Sequence, residues 1–581
     1  MIIIQRFLLS TLVILLSFQF IFAQQKNIEI VNNQGDVNVV ENAVLNGYRL
    51  FSPEKLPIEF QIQSDVPIKC GTTILREIQT NFSKMNESDQ RFFSPHLARP
   101  NLPFFYISPE GIFKLHFALT GFDAVSDSDI TATGVPDYIE ESARSFEFSY
   151  HILIDTLGYN PPPSDFEVDG PEIDVYFRDI GFYGLTFFET EITSTPNTDY
   201  TSYMILDNNY EESIFYSKGL SGMQVTAAHE LFHVVQLGYH FRDMDTGFLE
   251  MSATWMEDRI FDDVNDYYQY LSSFQLSTNF PVGYSNGSHE YGSSIFLKYI
   301  QEAHSEDIIR RTWELIPNSH SMKSMNSALQ ENGSNLASAF AEFAIWNYFT
   351  DDRAADLKFF KEAENYPKIL VNPVITFQED TTIVDSSVYL TLKYYRIQPE
   401  TSGFYIALQQ HDQPEIWQTG VITESGSGYE HNIFSGSQVG QIGLIQGLSE
   451  FILVAANGSI PEDLSERLSR LDKSTFYYLI EKQILGESKR IFPNPFNSDK
   501  HSNLSVRINL PSTSLLDAYI LTEGGLKIDK IQLGRYEKGD TLIQFPWDGY
   551  DNQSRRLANG VYICVISGEN FSIPVKFVLV R

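Results

Sequence analysis

Two histidines and a glutamate at fixed spacing are the residues of this chain best suited to chemistry. The run His229-Glu230-Leu231-Phe232-His233 sets two imidazoles four residues apart. On an α-helix that spacing stacks them on one face, roughly 6 Å apart along the axis. Neutral imidazole nitrogen binds zinc at about 2.0–2.1 Å, and a catalytic zinc takes three protein ligands plus a water. Glu230, next to the first histidine, is placed to take the proton of that water. The third ligand must come from further along the chain. Glu250 and Glu257 are seven residues apart and share a helical face. Either can serve, and Glu250 is preferred, with Glu257 beside it as a supporting or surface carboxylate. Sixteen residues separate His233 from Glu250, enough for one helix to end, the chain to turn and a second helix to return antiparallel. His240 lies seven residues past His233, fits no ligand spacing and reads as a loop histidine.

Helices must position these groups. Val225, Ala228, Phe232 and Val235 recur at spacings of three and four, the period of a helix with one buried face. Ser221 with Gln224 makes a capping box at its start, and Gly238 stops it. Phe248 to Glu257 reads as the second helix. A third opens at His289-Glu290-Tyr291-Gly292. Peptide hydrolysis builds an oxyanion, which the Tyr291 hydroxyl or a His289 N–H can stabilise. Packing of Tyr291 between helices is the plainer reading. A second ion-binding candidate is a calcium loop: Asp129, Thr131, Thr133, Gly134 and Glu140 fall at its positions 1, 3, 5, 6 and 12, with Asp137 inside it. Threonine at two ligand positions and Pro136 depart from that pattern. The alternative is a Gly-Pro turn with Asp137 leading into a helix.

The run from His229 to Glu257 resembles the gluzincin metallopeptidases. Their aminopeptidase-N-like members carry HExxH and then a glutamate in a W-L-x-E-G-x-A type of sequence. Phe248-Leu249-Glu250-Met251-Ser252-Ala253 matches it, with Phe for Trp and Met for Gly. Thr254 stands where the thermolysin-like branch has an aspartate, and His289 where the usual tyrosine precedes the glycine. A wider stretch, from about 70 to 365, is similar to a family of secreted bacterial metalloproteases. Ser108-Pro109-Glu110-Gly111, Gly134-Val135-Pro136-Asp137-Tyr138 and the HExxH run carry that likeness. These resemblances imply a zincin-like fold, Zn2+ and a protein or peptide substrate. Phe492-Pro493-Asn494-Pro495-Phe496-Asn497, Trp547-Asp548-Gly549-Tyr550-Asp551 and Asn559-Gly560-Val561-Tyr562 resemble the Ig-like hook-capping and secretion-sorting domains. They imply a type IX secretion signal or a surface tether. Lys69-Cys70-Gly71 resembles the cysteine switch of latent matrix metalloproteases, in which a pro-segment cysteine fills the fourth zinc position. A buried thiol, or a disulfide with Cys564, is the plain alternative.

Composition bounds the rest. A chain of 581 residues calls for more than one core. With 43% hydrophobic and 20% charged residues it is not a disordered chain, and 14% aromatics suit strands. Forty-one basic against 75 acidic residues leave a net charge of -34, which repels phosphate backbones and argues against a nucleic-acid partner. Two cysteines exclude a disulfide-dense framework and cysteine-based zinc fingers. Residues 1–23 read as a signal peptide: Arg6, an apolar run from Phe7 to Phe22, then Ala23. That run is too short for a membrane span. The expected organisation is a pro-segment or cap over 24–110, an α+β zincin-like metallopeptidase domain over 111–365, a β-sandwich over 370–488 and an Ig-like sorting or attachment domain over 489–581. The expected product is a secreted zinc peptidase with Glu230 as general base. The rival is a catalytically inert surface adhesin that grips glycan or protein.

Overall fold

The computed structural model describes residues 39–580 except 62–67, 167, 355–358, 378–380, 400–403, 412–415, 426–427, 436–449, 465–472, 484–488, 523–524 and 570. The signal peptide lies outside the described residues. The chain is a multidomain protein of mixed α and β structure, with two compact units. The first comprises residues 1–336, 346–369 and 461–466, and the second comprises residues 337–345, 370–460 and 467–581.

A five-stranded sheet organises the first unit. Its strands are β1 (Phe104–Ile107), β2 (Phe113–Phe117), β3 (Ile173–Arg178), β4 (Gly184–Glu191) and β5 (Tyr200–Asp207), in the order β1-β2-β3-β5-β4. β2, β3 and β5 run parallel, and β1 and β4 are antiparallel edges. The parallel strands are buried along nearly their whole length, as strands covered on both faces are, although β2 carries Lys114 and His116 and β3 carries Asp174. All eight residues of β5 are buried. Eight helices matter here: α1 (Val39–Phe51), α2 (Thr72–Asn81), α3 (Glu87–Phe93), α4 (Asp137–His151), α5 (Gly219–Leu237), α6 (Thr246–Ile260), α7 (Tyr268–Gln275) and α8 (His289–Gly292). α4 supplies the crossover between the parallel strands β2 and β3.

The N-terminal segment is built into this unit. Leu50 of α1 and Leu75 of α2 share one core with Tyr176, Phe182, Leu185, Phe187, Tyr203 and Ile205 of the sheet region. The β1–β2 hairpin crosses the boundary expected at 110–111, pairing Ile107 with Lys114. Local patterning cannot detect that pairing, because the hydrogen bonds link residues on either side of a polar turn.

In the second unit, the strands from Val374–Phe377 to Ser474–Gln483 form a five-stranded and a three-stranded sheet. The two share a core that includes Ile397, Trp417, Leu453, Phe476 and Tyr478. Residues 490–580 form another pair of sheets around a separate core. The period of two is plain in Asn503–Leu510, where Leu504, Val506, Ile508 and Leu510 are buried and alternate with more exposed positions. Cys564 lies in that core as a free, buried thiol.

Candidate metal centre

α5 carries the HExxH run on a helix that is apolar almost all round, so both histidines are buried within the unit. It begins at Gly219, with Lys218 in the capping position and no side-chain cap. The expected capping box at Ser221 therefore falls inside the first turn. Gly238 closes the other end. After a loop, α6 brings Glu250 and Glu257 back against α5. β4 lies closely on the same helix: a Cβ on Gly184 would meet Thr226 at 2.8 Å and Glu230 at 3.1 Å.

The expected ligands converge. His229 Nε2 lies 3.1 Å from His233 Nε2 and 3.3 Å from Glu250 Oε2. His233 Nε2 lies 3.5 Å from Glu250 Oε2. A fourth donor joins them, the Cys70 Sγ, 3.4 Å from His233 Nε2. One donor atom from each of Cys70, His229, His233 and Glu250 lies within 4.8 Å of the others, and all four residues are buried. Bonds of about 2.0–2.3 Å in a tetrahedron put ligand atoms about 3.3–3.8 Å apart, close to these separations. Two imidazole nitrogens, a carboxylate and a thiol form a donor set suited to zinc. Glu250 Oε1 and Glu230 Oε1 are buried with no hydrogen-bond partner among the described residues. Orphaned carboxylate oxygens in an interior call for a cation or water to meet them.

Surrounding groups set each ligand's orientation. His229 Nδ1 lies 2.7 Å from Glu257 Oε1, and His233 Nδ1 lies 2.7 Å from Gln236 Oε1. Each Nδ1–H thus has an acceptor, which leaves the Nε2 lone pairs facing the centre. Gln236 is held in turn by donating to Leu249 O and Ser252 Oγ. Of the two glutamates, Glu250 sits with the donor atoms and Glu257 sits against His229 Nδ1. Lys69, 1% exposed, pairs with Glu257 at 2.8 Å and with Asp266. Tyr183 donates to the other Asp266 oxygen. Glu230 is fixed by the Thr186 hydroxyl, which donates to its Oε2 at 2.8 Å.

The electrostatics follow from burial and from these partners. Burial pushes the Glu230 carboxyl up, against the lowering pull of His229 and His233. Burial also opposes the Glu250 charge, but the two imidazoles outweigh it and draw the group down to about 2. For His229 burial favours the neutral ring, yet Glu250 and Glu257 win and hold it up at about 9. Metal binding must displace such protons, so it couples to pH.

Tyr291 belongs to this site, and His289 does not. Tyr291 shares a buried cluster with Cys70 and Tyr270, and its ring centroid is 6.4 Å from that of His229. His289 has both ring nitrogens 3.1 Å from backbone carbonyls, those of Ser273 and Pro281, and packs against Phe274 and Phe280. Burial pushes it down to about 4. It is a strut of the fold. Tyr270 was not foreseen; its hydroxyl is buried without a partner among the described residues. Its neighbours in sequence, Tyr267 and Tyr268, are equally aromatic, so nothing in the chain singles it out.

The calcium loop takes another form. Asp129 accepts from Thr133 N and Gly134 N, and Asp137 accepts from Ile130 N and Thr131 N. The Thr131 hydroxyl lies 3.5, 3.2 and 3.3 Å from oxygens of Asp129, Asp137 and Glu140. These carboxylates are engaged by the loop's own donors, and Asp137 opens α4. They do not form one of the convergent ligand groups among the described residues. A second such group, His116 with Asp169 and Asp174, is already neutralised by Lys114 and Arg99.

Residues 132–400 match a family described as of unknown function, DUF6055. That stretch includes the HExxH helix and Glu250 and begins after Cys70. No curated protein matches the chain. Among solved structures, the chain is similar to PorZ, described as an essential bacterial surface component of the type-IX secretion system of Porphyromonas gingivalis. The identity is 17% over 18% of this chain and 14% of that one, with a TM-score of 0.12. It is also similar to FlgD from P. aeruginosa, at 21% identity over 17% of this chain and 75% of that one, with a TM-score of 0.13. Dimeric latent PorU from P. gingivalis shows 12% identity over 36% of this chain and 19% of that one, with a TM-score of 0.14. The chain thus spans a small part of PorZ and PorU, and overlaps this slight say nothing of its activity. No helix among the described residues is long and apolar enough to cross a membrane.

Glu257→Gln is expected to weaken zinc binding by about 10–100-fold, since the partners that orient a ligating imidazole have effects of that size. Competition against a chromophoric chelator measures it. An unchanged affinity would remove Glu257 from the support of the site.

Proposed function

We propose that the first unit is a zincin-like, zinc-dependent peptidase of gluzincin type, with His229, His233 and Glu250 as ligands and Glu230 as general base. The observation that carries this reading is the convergence of those donor atoms on one buried point with Glu230 beside them. When bound there, zinc supplies Lewis-acid polarisation of a scissile carbonyl and a lowered pKa for water. Glu230 accepts the proton from the attacking water. Its free Oε1 is available for that bond, and burial makes the carboxylate a better base. Thr186 holds the other oxygen. Tyr291 and Tyr270, packed against Cys70, are the phenol hydroxyls this reading assigns to a developing oxyanion. The substrate is a protein or peptide. The chain is exported through its N-terminal signal, and its β-regions serve sorting, surface attachment or substrate capture without chemistry of their own.

The full burial of four donors supports a second reading. A closed four-ligand zinc is the structural kind, as in an inert surface-binding protein. Metal analysis and chelation distinguish the two. The purified chain is expected to hold one zinc and to lose it in His233→Ala, and any cleavage of casein is expected to stop on chelation and return with zinc. A metal-free chain, or cleavage indifferent to the chelator, would overturn the peptidase reading.

A further inference from the structure

We propose that Cys70 is a fourth ligand of this metal centre, and that the segment carrying it closes the site as a built-in latch. The proposal rests on the metal centre described above and concerns its regulation.

Three observations point to a latch. First, the Cys70 Sγ is one of the four convergent donors, although it lies 163 residues upstream of His233. Chain proximity cannot bring it there; the fold does. Second, the segment occupies the edge of β4. Cys70 forms a parallel bridge with Gly184, Gly71 N donates to Gly184 O at 2.9 Å, and Thr186 N donates to the Thr72 hydroxyl at 2.8 Å. β4 ends the sheet, so its outer N–H and C=O groups are where an extended peptide would add as a strand beside Glu230. The segment takes those groups, and Thr72 Oγ1 reaches to 3.4 Å from Glu230 Oε2. Third, both sides of Cys70 are anchored. Lys69 is buried between Glu257 and Asp266. Gly71 fits where a Cβ would approach Phe182 at 3.0 Å and Leu50 at 3.1 Å.

The chemical consequence is direct. Zinc with four protein ligands has no position left for water or substrate. Cys70, His229, Glu230, His233 and Glu250 are each no more than 1% exposed, so the general base is shut away together with the ligands. The closed form described here is thus the latent one, and the site opens when the thiolate leaves.

Cobalt substitution tests this without relying on activity. Cobalt-loaded wild type is expected to show a near-ultraviolet thiolate-to-cobalt charge-transfer band and to leave its visible spectrum unchanged on adding azide. Cobalt-loaded Cys70→Ser is expected to lose the band and to respond to azide, because a position has opened. Its zinc form should cleave casein at least tenfold faster than wild type. Cobalt bound by the wild type without the thiolate band, or a wild type that takes up azide, would overturn the latch whether or not the variant folds. The peptidase reading fails differently: the band and the azide response behave as expected, but the opened variant cleaves no peptide bond. In that case Cys70 still closes the metal centre.

Discussion

Replacing Lys69 with methionine is expected to destabilise the first unit by about 3–5 kcal/mol. That is the range for removing one partner of a buried ion pair and leaving the other charge uncompensated. Lys69 is 1% exposed, and its ammonium stands between Glu257 and Asp266, themselves 1% and 0% exposed. Without it two buried carboxylates face each other across an apolar stem. Among the described residues, the Glu257 carboxylate keeps His229, and Asp266 keeps Tyr183, Ser217 N and Gln269. The same substitution loosens the residue that precedes Cys70 and the carboxylate that orients His229, so stability and metal binding should fall together. A urea titration of the metal-stripped full chain, followed by tryptophan fluorescence, measures the first of these. Trp255, Trp313 and Trp346 report on the first unit. Lys323→Met is the control. Its partner Glu462 is 91% exposed, and solvent screening should leave the transition where it was. A Lys69→Met midpoint as little shifted as the control would mean that the buried triad is not a support of the site.

What could be read in the chain follows the range of each signal. The HExxH run, the second helix and the downstream glutamates lie within 29 residues, from His229 to Glu257, and a helical period relates them. That period put Glu250 and Glu257 on one face but could not tell which meets the metal. The distinction depends on how α6 crosses α5, since the two carboxylates stand about two helical turns apart and the crossing decides which reaches Nε2 and which reaches Nδ1. The parts played by Lys69, Thr186 and Asp266 escaped notice for a related reason. They reach the centre from a loop, an edge strand and a helix approach far from the motif, and a lysine or threonine carries no signature of that use. Cys70 stood out only through a two-residue likeness; its place among the donors is a product of the N-terminal segment folding onto β4. The strands beyond residue 370 were legible because alternation is local, as in Leu504, Val506, Ile508 and Leu510. The hairpin across 110–111 was not, because Tyr106 and Leu115 pair over a polar turn that looks like a boundary. His289 shows the opposite error. A histidine beside Tyr291 and Gly292 suggests chemistry, but two backbone carbonyls claim its ring.

If Glu230 moves a proton at a zinc held by His229, His233 and Glu250, its removal must slow hydrolysis without loss of the metal. Casein hydrolysis is measured for zinc-loaded Cys70→Ser beside Cys70→Ser/Glu230→Gln. Glutamine keeps the size of the side chain and an oxygen to accept from Thr186, but it cannot take a proton at neutral pH. Loss of a general base typically lowers the rate by about 10²–10⁴-fold. Glu230 is not one of the convergent donors, so the zinc content should not change. A loss of that size is expected in the Cys70→Ser background, with zinc retained at one per chain. Equal hydrolysis by Cys70→Ser and Cys70→Ser/Glu230→Gln, both fully loaded with zinc, would contradict it.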